Sequence, residues 1–313
     1  MTSPSNNNET KARQKRGRWV IVMALIVPIL LCAVVFLPVI YVGALNLGTP
    51  GPIPGLRTAD SPREYVIGDL GGMPVKIDHG IVRYIEYDGD PRPGEKRKGP
   101  WPTRTYASRL SSFLFYVRYP DMGSLTSEDM KADFERYHPL SRPIEYGLRH
   151  KNPWLTGGIQ SGSSYPGHGF LDRLYQATTS HPEKQIVGSQ LVPLTSEIPG
   201  LELFVDLGTD PISGEPWRYL SIGSGDTYFH RGPSGKTTTF IHCNYRSGTR
   251  NYASCSQDWS MESFDLNIWV SVLYIPALLP QWQDIQLKVS QFILTFNNPE
   301  VVASDLTGSN AGR

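Results

Sequence analysis

The chain has 313 residues, of which 30 are glycine and 26 proline. That length suffices for one large domain or two small ones, and the Gly/Pro content favours many turns and short strands over long helices. The formal net charge of +1 is split: Lys11, Arg13, Lys15, Arg16 and Arg18 against Glu9 give residues 1–18 a net +4, so the remainder carries −3. A mildly acidic body lacks the basic footprint that nucleic acid requires, and no nucleic-acid partner is expected.

Residues 1–18 read as a disordered cytoplasmic tail. Trp19 to Leu45 is a run of 27 residues without a charge. About 20 apolar helical residues cross a bilayer, so the run predicts a membrane helix with some tilt, despite Pro28 and Pro38. Trp19 and Tyr41 stand near its ends, where aromatic residues favour the interface. The basic cluster precedes the run and nothing comparable follows it, which places the N-terminus in the cytoplasm and the rest outside. A cleaved signal peptide ending at Ala44 is the rival, but the run is too long for a signal h-region of roughly 7–15 residues. Cys32 as a lipidated residue is rejected because Leu31 before it is too large. Residues 46–63 form a Pro/Gly linker.

The exported part, 64–298, is expected to be α+β, as one domain or as two subdomains, 64–220 and 221–298, with a flexible tail at 299–313. "REYVIGDLGGMPVKID" predicts two strands joined at Gly71-Gly72. "IVRYIEY" (81–87) is ambiguous between helix and strand, and 88–104 is a charged Pro/Gly loop. Ser111–Tyr119 predicts a strand by β-propensity. A helix capped by Thr126 or Ser127 follows. "PWLTGGIQSG" predicts a strand, "HGFLDRLYQATT" a short helix, and residues 201–208 another strand. Asp226–His230, Thr237–Tyr245, Ala253–Met261 and Asp265–Ile275 read as an antiparallel meander. A final helix, about Pro280 to Phe296, carries Trp282, Ile285, Val289, Phe292 and Phe296 at steps of three and four, a stripe that should pack on the meander.

Motifs for chemistry are sparse. Gly235-Lys236-Thr237 imitates the end of a phosphate-binding loop, but His230 stands where that motif needs its first Gly. The segment after Lys236, Thr-Thr-Thr-Phe-Ile, forms strand and not the helix a phosphate site needs, so 231–236 reads as a hairpin turn. Gly162-Ser163-Ser164-Tyr165-Pro166 is a near miss to a hydrolase elbow, with His168 close in sequence. Asp88 and Asp90 lack EF-hand spacing and suit a turn. The histidines show no metal spacing. No cofactor and no metal are therefore expected, and no catalytic residue is assigned, although a carboxylate pair would leave no local motif.

An exported domain with two nearby cysteines, Cys243 and Cys255, predicts one disulfide. If they pair across "RSGTRNY", alternation assigns both faces of the meander. One holds Ile241, Cys243, Tyr245, Ala253, Cys255, Trp259 and Met261, joined by Leu266, Ile268, Val270 and Val272; it is apolar and should receive the final helix. The other holds Phe240, His242, Asn244, Ser254, Ser256, Asp258, Asn267, Trp269 and Ser271. It is either a solvated or covered face or a binding face, since aromatic anchors among small polar groups suit protein recognition. On the second reading Phe240, His242, Asn244, Ser256, Asp258 and Trp269 carry partner binding.

"GDLGGMPVKI…YIEYDGDPRPGEKRKGP" and "FLFYVRYPDM" resemble segments of single-pass envelope proteins of proteobacteria, over most of the exported part. Some of those look like immunity proteins against type VI secreted lipase-like effectors. The resemblance implies an inner-membrane protein with a periplasmic domain and a protein partner; it transfers no activity and no residue role. Three functions compete: a protein-binding module, most concretely an immunity protein; an assembly factor of an envelope complex; and a hydrolase in which Ser164, His168 or a carboxylate pair converge.

Overall fold

The computed structural model describes residues 65–91, 99–100, 102–138, 148–180, 188–219, 225–245 and 252–298. The expected cytoplasmic tail, membrane helix, linker, C-terminal tail and the turn 246–251 lie outside them. Among the described residues no helix is long and apolar enough to cross a membrane.

The architecture is α+β. Strands β1 (Tyr65–Leu70) and β2 (Met73–Asp78) form a hairpin. The others are β3 (Val82–Tyr87), β4 (Leu110–Arg118), β5 (Gly123–Ser124), β6 (Trp154–Gln160), β7 (Leu191–Leu194), β8 (Glu202–Asp206), β9 (Gly225–Arg231), β10 (Thr237–Tyr245), β11 (Tyr252–Ser260) and β12 (Trp269–Tyr274). They build one antiparallel sheet in the order β3-β4-β6-β12-β11-β10-β9-β8-β7, with β5 beside β4. Strands from residues 64–220 thus flank the meander of 221–298 on both sides. Helices are α1 (Glu128–Tyr137), α2 (Phe170–Ser180) and α3 (Trp282–Leu294). Ser127 is the N-cap of α1, its hydroxyl accepting from Met130 N at 3.3 Å.

The expected hairpin at Gly71-Gly72 forms, with φ of 60° and 103° that side-chain-bearing residues rarely adopt. The ambiguous 81–87 segment is the edge strand β3; a register shift between Arg83 and Glu86 breaks its alternation, and Tyr84 there has φ 52°. β12 begins four residues later than expected, because 262–264 form a 3-10 turn and Asp265 turns left-handed at φ 57°. β7 has no counterpart in the expectations: it is four residues long and contains Pro193, which an edge strand tolerates.

The apolar face is the core. Ile241, Cys243, Cys255, Trp259, Val270 and Val272 are buried on it. Ala253, expected on this face, is exposed near the start of β11. α3 lies against the face through Trp282, Ile285, Val289, Ile293 and Phe296. Ile293 takes a buried place in the stripe that was expected for Phe292, which is half-buried against Phe115 with ring centroids 5.7 Å apart. On the β4–β6 pair Phe115 stands opposite Gly157, and a Cβ there would come within 2.0 Å of the Phe115 ring. Glycine is what lets the ring lie on the strand. Gln257 is also buried here, and fully used: its Nε2 donates to Trp282 O at 3.0 Å, and its Oε1 accepts from Tyr274 OH at 3.0 Å.

Cys243 and Cys255 are register partners with Cα atoms 4.0 Å apart and are joined by a disulfide. Replacing both by Ala is expected to lower stability by about 2–3 kcal/mol, because the closed loop is short. Urea unfolding of oxidised wild type against the double variant measures it; equal midpoints would mean that the cross-link constrains nothing beyond the strand pairing.

Candidate functional site

The second sheet face is covered at two places. At one, Phe170 of α2 meets Trp269 edge-on, ring centroids 5.1 Å apart, and Tyr175 meets Phe229 in the same manner at 5.1 Å. Asp172 fixes this helix by accepting Thr237 N at 2.7 Å. At the other, Phe134 of α1 packs on Tyr116 and Trp154, at 4.9 and 5.1 Å. Five of the six residues singled out from sequence, Phe240, His242, Asn244, Ser256 and Asp258, are half-buried on β10 and β11. Trp269 is different: it is 8% exposed, beneath Phe170. It is part of the contact between α2 and the sheet, a placement that corrects its reading as an accessible anchor. Alternation gave its face; which helix covers that face depends on chain topology.

Within the half-buried strip His242 is committed. Its Nε2–H donates to Asn244 Oδ1 at 3.0 Å, and its Nδ1 accepts from the Thr227 hydroxyl at 3.2 Å, the tautomer that satisfies both contacts. Burial lowers the His242 pKa, with the Asn244 contact opposing, so the ring is neutral at neutral pH. Its ring lies parallel to that of Phe240, centroids 6.5 Å apart.

Asp258 sits between register partners Phe240 and Ser271. Ser256 Oγ is 3.4 Å from its Oδ2, a weak contact. Desolvation pushes the carboxyl up to about 6 from an ordinary 3.8, and donors on Ser271, Ser256 and Trp269 offset only part of this. The folded state therefore holds the proton more tightly than the unfolded chain. The stability this gives is full below pH ~4 and is lost as pH rises through about 6. The titratable neighbours are His242, which is neutral, and Tyr274, whose phenol the Asp258 charge helps raise. Asp258→Asn is expected to stabilise the protein by about 1–3 kcal/mol at pH 7.5 and to change little at pH 4. Melting temperatures of both proteins across that range test it; a variant less stable than wild type at pH 7.5 would show that the carboxylate is well satisfied.

The other sequence candidates resolve into structural roles. Residues 232–236 form the turn between β9 and β10, closed by Gly232 N donating to Lys236 O at 2.9 Å. Asp88 accepts from Ser163 Oγ at 2.6 Å and from Ser163 N at 3.0 Å, holding the turn 162–164. Asp90 pairs with Arg104 at 2.5 Å. His168 Nδ1 faces Glu262 at 3.6 Å, and no hydrogen bond among the described residues joins it to Ser164. Among the described residues no three His, Cys, Asp or Glu side chains are grouped to hold a metal.

One cluster was not singled out from sequence. Arg218 grips Asp226 with two bonds, Nε to Oδ1 at 2.7 Å and a terminal nitrogen to Oδ2 at 2.6 Å. Tyr245 OH donates to the same Oδ2 at 3.0 Å. Asp226 is the register partner of Cys243, so the pair lies beside the disulfide. Nothing in local spacing joins Arg218 to a strand position eight residues on.

No protein-family model matches the sequence, and no curated protein matches it. Among solved structures the chain is similar to Smlt3025, an immunity protein of the Stenotrophomonas maltophilia type IV secretion system, at 16% identity over 79% of this chain and 98% of that one, with a TM-score of 0.42. It is also similar to the Neisseria meningitidis iron-regulated outer membrane lipoprotein FrpD, at 16% identity over 75% of this chain and 92% of that one, with a TM-score of 0.38. The likeness to an immunity protein is thus weak.

Proposed function

We propose that the chain is a membrane-anchored periplasmic protein-binding module, most concretely an immunity protein that neutralises a toxic secreted effector at the inner membrane. The observation that carries the reading is the second sheet face. Its half-buried polar strip on β10 and β11 lies beside a disulfide that stiffens the two strands, a rigid polar surface with an aromatic ring in it. The charge-free run 19–45 and the disulfide agree with export through an anchor. The test is capture: full-length oxidised chain in detergent, challenged with envelope and secreted proteins, should retain one dominant partner. Deleting the gene should sensitise cells to one periplasm-acting toxin. Capture of a partner without any toxin sensitivity would replace immunity by an assembly role in an envelope complex; no capture at any salt would end the binding reading.

A further inference from the structure

Arg83 is a cation without a counter-charge. No ion pair among the described residues includes it. Its Nη1 is held in place, donating to the carbonyls of His79, Gly80 and Val82 at 3.2, 3.0 and 2.8 Å. The other edge of the guanidinium is unpaired: Nε is buried with no hydrogen-bond partner, and Nη2 makes no hydrogen bond among the described residues. Elsewhere in this chain that same edge grips a carboxylate. Arg218 uses Nε and Nη2 on Asp226, and Arg118 uses them on Asp121 at 3.1 and 2.6 Å. Arg83 lies half-buried on the edge strand β3 as register partner of Leu114, so it shares the sheet face that carries Tyr116. The ionisable groups that act on it are the phenols of Tyr116 and Tyr84, not a carboxylate; desolvation is the largest influence and lowers its pKa. A cation taken partly out of water is costly unless paired. Tyr84 is 72% exposed at φ 52°, where the β3 register breaks; bulky residues rarely take that conformation, and a bulge re-aims the side chain it carries. The planar Nε–Nη2 fork matches the two oxygens of a carboxylate, and one cation balances its single charge, which a phosphate monoester exceeds.

We infer that Arg83 is the receptor for a carboxylate of a protein partner, an Asp or Glu side chain seated on its Nε–Nη2 edge beside the phenols of Tyr84 and Tyr116. This rests on the reading of the chain as a protein-binding module.

The test uses the full-length chain in detergent micelles, with isotope-labelled arginine side chains read by NMR. Sodium propionate is titrated at constant pH and constant ionic strength, with sodium chloride making up the balance. The Nε–H resonance of Arg83, identified by its loss in Arg83→Lys, is expected to shift saturably, and that of Arg218 to stay in place because Asp226 already fills its fork. No saturable shift at Arg83, or an equal shift at Arg218, would overturn the inference. In a second arm both Arg83→Lys and Arg83→Glu are compared with wild type for retention of a partner that wild type captures. Losses of about 10-fold for Lys, which lacks the fork, and on the order of 100-fold for Glu, which repels an acid, are expected. Undiminished retention in Arg83→Glu would overturn the inference and leave the binding reading standing; if that variant does not fold, Arg83→Lys and the titration decide. If wild type captures nothing, the binding reading fails, and a saturable propionate shift would then assign the carboxylate site to a small acid instead of a protein.

Discussion

Arg218→Ala is expected to lower stability by about 3–5 kcal/mol, the loss that follows when one member of a buried pair is removed. Asp226 has 1% of its side chain exposed and Arg218 19%. The bidentate contact raises the Arg218 pKa, with the Asp226 hydrogen bond the largest cause and desolvation opposing. Without the guanidinium the carboxylate keeps the Tyr245 hydroxyl, which supplies one hydrogen bond and no charge. The ring of Tyr219 also meets that of Tyr245 edge-on at 4.8 Å, and both lie 5.7 Å from the guanidinium carbon. Losing Arg218 therefore loosens the 217–219 turn from the end of the sheet as well as exposing a charge imbalance. Arg218→Lys should fall between wild type and Ala, because an ammonium cannot form the two parallel bonds. Urea midpoints with an unchanged slope measure the effect; a loss under about 1 kcal/mol would class the pair with exposed salt bridges.

Trp269→Ala is expected to cost about 3–5 kcal/mol, in the range of large-to-small changes at buried aromatic positions. The substitution removes the ring on which Phe170 rests and a donor that moderates the Asp258 pKa. Phe170→Ala should cost less, since Phe170 is half-buried. The double variant should fall short of the sum by about 0.5–1.5 kcal/mol, the usual worth of an edge-on aromatic pair. This outcome differs from that expected of an interface anchor, whose loss spares folding and abolishes binding. If Trp269→Ala kept its melting temperature and lost the partner, α2 would have to move aside when the partner binds. Phe240→Ala separates the two cases, because Phe240 is half-buried and its ring leans on the fully buried Phe229 at 5.3 Å.

Elements with a regular period were legible without coordinates. β10 matches its expected span at both ends, and β4 and α3 match within a few residues, because each carries either alternation or a stripe at steps of three and four. Elements that depend on a break in the pattern were not. The bulge in β3 hid its alternation, and the left-handed Asp265 cut β12 short. β7 is too short, and its Pro193 too unfavourable to a central strand, to declare itself outside the context of a sheet edge.

The candidate site divides in the same way. Pairing Cys243 with Cys255 fixed the register of two strands, and with it the face of every residue on them, because a strand has period two. That alone separated the buried Ile241 and Trp259 from the half-buried His242 and Asp258. That α2 covers the second face, and so whether Trp269 is reachable, depends on a contact between Phe170 and Trp269, segments about a hundred residues apart in the chain. The same holds for the raised Asp258 carboxyl, whose pKa is set by how much water the neighbouring strands exclude, and for the grip of Arg218 on Asp226. Sequence periodicity determined orientation on the sheet; only tertiary packing decided solvation, because burial is a property of what lies above a residue and not of the strand that carries it.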